Sequence, residues 1–195
     1  MKQLKNKIAT ITGAATKIGR SLAGEFIKKG CNLAISNIKK DDFHKLVDHS
    51  KQDISITPHL MDTLKKDEVY NYAKEVSQQH GGIHIVGNNT GVVVMASVEH
   101  ITFDNFEWLA RINLSGTVYE TKTLLPSSGQ EVEGYTINIS SAFGVVTSPV
   151  QAAYHSIKFA MREVTECLQQ ELKMEAFSMK ANSFLPKAIK GSQKK

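Results

Sequence analysis

Long apolar runs are missing from this chain of 195 residues, and so are most of the residues that staple or metallate small proteins. No stretch approaches the ~20 apolar residues that span a bilayer, so no membrane association is expected. Cysteine occurs only at Cys31 and Cys167, far apart and outside any CxxC or metal-ligand spacing. That excludes a disulfide framework and points to a reduced, intracellular and cytoplasmic protein. The histidines (44, 49, 59, 80, 84, 100, 155) are dispersed along the chain, which gives metal binding no support. Arginine is scarce, confined to Arg20, Arg111 and Arg162, so the net charge of +5 comes mostly from scattered lysines. Lysines spread over helices act as a solubility device, and no aromatics interleave with them as in a single-strand binder; nucleic acid is not an expected partner. The opening MKQLKNKIATIT runs straight into a strand without a signal-like apolar core. The basic end KAIKGSQKK reads as a solvated tail.

What is present is a regular alternation of strand and helix over a length that fits one domain, 1–195. Strands read at 7–12 (KIATIT), 32–36 (NLAIS), 54–61 (ISITPHLM), 83–87 (IHIVG), 135–140 (YTINIS) and 179–185 (MKANSFL). Helices read at 18–29, 41–49, 65–80, 103–125 and from about 151 to 174, with Gly30, the Gly81-Gly82 pair, Thr102 and Pro126 as their punctuation. Pro58 lacks the N–H a ladder uses, which predicts a bulge or irregular pairing. Such alternation predicts an α/β fold, a Rossmann-type doubly wound parallel sheet covered on both faces. Ligands then bind beyond the carboxyl ends of the strands, where the strand order reverses. TGAATKIG, at 12–19, sits between the first strand and helix, where backbone amides can meet a pyrophosphate at the positive helix end.

Tyr154 and Lys158 lie one turn apart on one helix face, with Ser141 thirteen residues before the tyrosine, at the end of a strand. A free phenol titrates near ~10, and bringing it to neutrality needs ~4 kcal/mol. A single cation at ~4 Å in a partly screened site supplies about that much. A second Tyr-x-x-x-Lys match, Tyr70 and Lys74, lies in a lysine-rich stretch and reads as a solvated helix face.

Together these residues resemble the short-chain dehydrogenase/reductase family along nearly the whole chain. TGAATKIG is similar to its TGxxxGxG loop, GNNTG (87–91) to its NNAG motif, RINLSG to the segment bearing its conserved-motif asparagine, and ANSFLP to its sixth strand and PG motif. The resemblance implies a catalytic tetrad of Asn113, Ser141, Tyr154 and Lys158. It implies cofactor contacts at Gly13, Lys17, Ile18 and Gly19 of the loop, Asn37 at the end of the second strand, and Asp62 against adenine. Asn88, Tyr154, Lys158 and Ile189 complete the set. Tyr154 is expected to exchange a proton with the substrate oxygen, Ser141 to hydrogen-bond it, Lys158 to lower the tyrosine pKa and hold a ribose, and Asn113 to position a water. The implied substrate is a small alcohol or carbonyl compound. Asn37 stands where NAD-using members carry an aspartate, and with Lys39, Lys40 and Lys17 nearby NADP is placed ahead of NAD. Trp108, Leu109, Ile112, Phe159, Val164 and Leu168 could form a homodimer or tetramer interface, or serve as core.

The chain also departs from the pattern. Lys17 replaces the second glycine of the loop, where it could obstruct phosphates or pair with them. Gly87 replaces a larger strand residue, which predicts a slightly looser strand. Lys187 follows Pro186 where a glycine is usual, and the sequence stops where a substrate-covering loop and seventh strand would begin, so both are expected to be missing. Two functions stay open: an NAD(P)-dependent oxidoreductase, or a catalytically inactive nucleotide-binding or interaction module, or fragment, of the same descent.

Overall fold

The computed structural model describes residues 3–39, 43, 54–125, 133–175 and 178–187. The helix expected at 41–49 (Phe43 excepted), the stop at Pro126 and the position of Ile189 lie outside those residues. Six parallel strands form one sheet: β1 (Ile8–Thr12), β2 (Asn32–Asn37), β3 (Ile56–Leu60), β4 (Ile85–Asn88), β5 (Gly134–Ile139) and β6 (Met179–Phe184). Their order is β3-β2-β1-β4-β5-β6, so the chain reverses direction across the sheet between β1 and β4.

Helix α1 (Lys17–Lys28) starts at Thr16, whose side chain accepts from the Gly19 amide, and buries Gly19, Ala23 and Ile27 at four-residue spacing. Helix α2 (Lys66–His80) buries Val69, Tyr72, Ala73 and Val76 and ends at Gly81, whose φ of 75° only glycine adopts at little cost. These helices cover opposite faces of the sheet. Ala9, Ile11, Leu33 and Ile35 pack with Ala23 and Ile27 on one side, and Ile8, Ala34 and Val86 pack with Val69, Tyr72 and Val76 on the other. Alternate residues of each strand thus feed two cores, which is why these strands read as continuous apolar runs.

Two expectations are corrected here. Pro58 makes no bulge; β3 runs in regular register with β2, Ile35 opposite Pro58. The Met61 amide donates to Asn37 O, so by alternation the Pro58 nitrogen faces away from β2, to a side with no strand partner among the described residues. The single helix expected over 103–125 is three segments: α3 (Phe103–Ala110), a π-helical turn (Arg111–Gly116) and α4 (Thr117–Leu124). The cause is local. Asn113 Nδ2 donates to Leu109 O at 3.0 Å, occupying the carbonyl that an α-helix would offer to the Asn113 amide. The longest helix, α5 (Ala152–Met174), packs along β6 and carries the tyrosine–lysine pair.

Candidate active site

At the carboxyl end of β1 the chain turns through Gly13, at φ +59°. Gly19, in the first turns of α1, is constrained by space rather than by φ. A Cβ there would lie 2.4 Å from Gly13 O and 2.7 Å from Asn89 Nδ2. The Asn89 side chain is the clasp of this turn, donating to Thr12 O, Gly13 O and Thr16 Oγ1 at 3.0, 2.9 and 3.0 Å. Lys17 lies exposed at the start of α1, with Ile18 half-buried beside it. Asn37 closes β2, its side chain donating to Lys39 O, and Asp62 lies two residues beyond β3, accepting from the Leu64 amide. All of these stand on the carboxyl edge of the sheet. Gly87, where a larger strand residue is expected, lies close to β1: a Cβ there would meet Thr10 O at 3.1 Å.

Asn88, expected along a cofactor, has its side chain turned into the protein with 1% exposure. Its Nδ2 donates to Thr121 Oγ1 and to Asn138 Oδ1, both at 2.8 Å, and Asn138 Nδ2 continues to Thr165 Oγ1 at 2.9 Å. This buried polar chain links α4, β4, β5 and α5. The pleat sends neighbouring side chains to opposite sides, so Asn89, not Asn88, presents its side chain to the glycine turn. Strand alternation across GNNTG sets which of the two asparagines faces the turn.

Beyond β5, Ser141 caps a short 3-10 turn and its Oγ accepts from the Phe143 amide at 3.1 Å. Ser140 Oγ donates to Lys158 O at 2.9 Å, fixing the start of α5 against the strand end. The structure therefore brings Ser141, Tyr154 and Lys158 together. Ser141 lies close enough to the Tyr154 phenol to act on its titration, and Lys158 Nζ stands 5.6 Å from the Tyr154 ring centre. Lys158 is 3% exposed; its ammonium donates to Ile139 O at 2.9 Å and touches Met161 Sδ at 3.9 Å. Asn113 joins them from the π turn. Its Oδ1 accepts from the Val92 amide and its Nδ2 donates to Val92 O, pinning the loop that follows β4. A Cβ on Gly91 would sit 2.8 Å from Asn113 Oδ1 and 3.7 Å from Lys158 Nζ, so the glycine keeps the space between them open. The decoy pair behaves differently: Tyr70 and Lys74 are exposed on α2.

Burial dominates the electrostatics of the chain by itself. Burial presses the Lys158 ammonium down to about 8, and burial raises the Tyr154 phenol above its ordinary value, with the nearby Ser141 hydroxyl only opposing that rise. The lysine does not lower the tyrosine in the chain by itself. Its nitrogen is directed at Ile139 O, and although at about 8 it keeps most of its charge at neutral pH, burial of the phenol outweighs its influence.

Sequence reading also passed over Glu120. In TVYETK it looks like a residue of a solvated helix, yet it is 1% exposed, and burial lifts its carboxyl to about 8. Among the described residues no group of three or more His, Cys, Asp or Glu could hold a metal, and no helix is long and apolar enough to cross a membrane.

Parallel strands in this order, a glycine turn at the reversal and a serine–tyrosine–lysine cluster at the next strand end define a Rossmann-type α/β domain. A family model of short chain dehydrogenases matches residues 7–194. The chain belongs to that family. A protein of Mycobacterium tuberculosis provisionally named oxidoreductase SadH is 32% identical over 191 residues, covering 97% of this chain and 69% of the relative. The uncharacterized oxidoreductase SAR2567 of Staphylococcus aureus is 30% identical over 173 residues, 88% of this chain and 74% of its own. In fold, the chain is similar to a short chain dehydrogenase/reductase of Burkholderia phymatum solved in complex with NAD (TM-score 0.89, 21% identity, covering 96% of this chain and 67% of that one). It is also similar to an alcohol dehydrogenase of Thermococcus sibiricus complexed with 5-hydroxy-NADP (TM-score 0.87, 24% identity, 95% and 77%).

Proposed function

We propose that this chain is an NAD(P)-dependent oxidoreductase that interconverts an alcohol and a carbonyl compound. The observation that carries the reading is the convergence of Ser141, Tyr154, Lys158 and Asn113 from three separate elements onto the carboxyl edge of the sheet. The residues fit a dinucleotide. The turn through Gly13 and Gly19 presents backbone at the start of α1, and Lys158 spends one of its three donors on a strong acceptor, Ile139 O, leaving a donor for a ribose hydroxyl. Asn37, Asp62 and Ile18 border the same edge, where they would hold the adenosine half; the uncharged Asn37 puts no carboxylate against a 2′-phosphate, which favours NADP over NAD.

When bound, the nicotinamide accepts or supplies the hydride and, oxidised, brings positive charge to the site. The chain does the rest. Tyr154 gives or takes the proton of the substrate oxygen, and Ser141 hydrogen-bonds that oxygen as charge develops on it. Lys158 stabilises the phenolate form, a task the raised phenol requires help with. Asn113 Oδ1, across the space kept open by Gly91, holds a water that reaches Lys158. Tyr154→Phe should abolish turnover, a loss of about 10²-fold or more, while leaving NADPH binding in place. A native chain that binds NADPH but oxidises or reduces no alcohol or carbonyl across a broad panel would instead favour the inactive, binding-only reading.

Leu109 is core, but Trp108, Phe159 and Val164 are 42%, 37% and 39% exposed and lie on the helices proposed to pair copies as a homodimer or tetramer. Sedimentation of the native chain beside Trp108→Lys tests this; an unchanged monomer in both would refute it.

A further inference from the structure

We propose that Glu120 is a positioning residue for the cofactor crevice: its buried carboxyl takes the Thr12 hydroxyl hydrogen and thereby aims that oxygen at the backbone amides of Asn89 and Thr90. The proposal rests on the dinucleotide reading for its consequence, though not for its geometry. Thr12 is the last residue of β1 and is 1% exposed. Its Oγ1 donates to Glu120 Oε2 at 3.0 Å and accepts from Asn89 N at 3.1 Å and Thr90 N at 3.3 Å. A hydroxyl has one hydrogen and two lone pairs, so all three capacities are used. With the hydrogen committed to Glu120, both lone pairs are free for the two amides. Without that acceptor the hydroxyl has to turn, and one amide loses its partner.

Asn89 and Thr90 open the segment that clasps the glycine turn through the Asn89 side chain and continues to Gly91 and the Asn113–Lys158 space. Glu120 thus supports the floor of the crevice from beneath, through one intermediary. It does so at some cost to the fold. Its Oε1 has no hydrogen-bond partner among the described residues, and the groups acting on it are Thr12 from β1 and the Tyr72 phenol from α2, with no cation. Burial keeps the carboxyl largely protonated at neutral pH, and the neutral acid still accepts from Thr12. An apolar side chain would serve packing better at this point, so the carboxyl is there as an acceptor.

The experiment uses the full chain with Glu120→Leu, Glu120→Gln and Thr12→Val. Amide hydrogen exchange at Asn89 and Thr90 is followed by NMR in the absence of cofactor, thermal stability is recorded, and NADPH binding is titrated by fluorescence. Glu120→Leu should speed exchange at those two amides by about tenfold and weaken NADPH binding about five- to tenfold, while thermal stability holds or rises. Glu120→Gln, whose amide oxygen still accepts, should restore native exchange and binding, and Thr12→Val should reproduce the leucine variant. A packing role alone would move stability and binding together. Native exchange at both amides in Glu120→Leu would overturn the proposal; if that variant does not fold, Glu120→Met decides by the same readout. Should the native chain bind no NADPH, the dinucleotide reading fails, and the exchange data still decide the role of Glu120.

Discussion

Replacing Glu120 with glutamine should make the protein more stable, and by an amount that grows with pH. The carboxyl is raised by burial from 4.5 to about 8, against a single opposing hydrogen bond from Thr12. The sign follows from proton counts. Between those two values the folded state keeps a proton that the unfolded state has already released, so stability falls as pH rises. Below pH 4.5 both states are protonated and the acid costs little more than an amide. Above 8 both are ionised and the loss is complete. A gap of about 3.5 pH units at about 1.4 kcal/mol each gives about 5 kcal/mol at the plateau, and about 3 kcal/mol at neutrality. Against a typical domain stability of about 5–15 kcal/mol, that is a large fraction. Urea denaturation of the native and Glu120→Gln chains from pH 5 to 9 measures it directly. The difference should be small at pH 5, widen steadily and level off beyond pH 8. Parallel curves across that range would refute the reasoning, since they would show that the carboxyl ionises in the fold as it does in water.

Lys158 should show the opposite slope in a different window. Burial lowers it from 10.5 to about 8, so stability rises as pH climbs between those values. Lys158→Met should remove that rise and stabilise the chain at neutral pH by about 3 kcal/mol, while abolishing NADPH turnover; the two are read by denaturation and by nicotinamide absorbance. Gly19→Ala places a carbon 2.4 Å from Gly13 O. It should destabilise the fold by about 1–3 kcal/mol in the same denaturation assay and displace the Asn89 side chain, visible as a shift of its amide resonances.

Much of the architecture was legible because it depends on local periodicity. Apolar alternation located all six strands to within two residues, and the serine at the end of β5 set Tyr154 and Lys158 apart from the exposed Tyr70 and Lys74. What escaped was governed by long-range contact. Whether 103–125 is one helix depends on Asn113 reaching Leu109 O and Val92, and Val92 is 21 residues away. Which asparagine of GNNTG meets the glycine turn depends on the strand's pleat and on Thr121 and Asn138 waiting behind it. No periodicity marks Glu120 as buried, because its neighbours in TVYETK are those of a solvated helix.

The sequence by itself determined the alternation of strands and helices, the family, and the residue types available for proton transfer, since each rests on spacing along the chain. Only the tertiary structure decided how those groups are charged and aimed. Burial sets the direction of the Tyr154, Lys158 and Glu120 shifts, and burial is a property of what packs around a side chain, not of its neighbours in sequence.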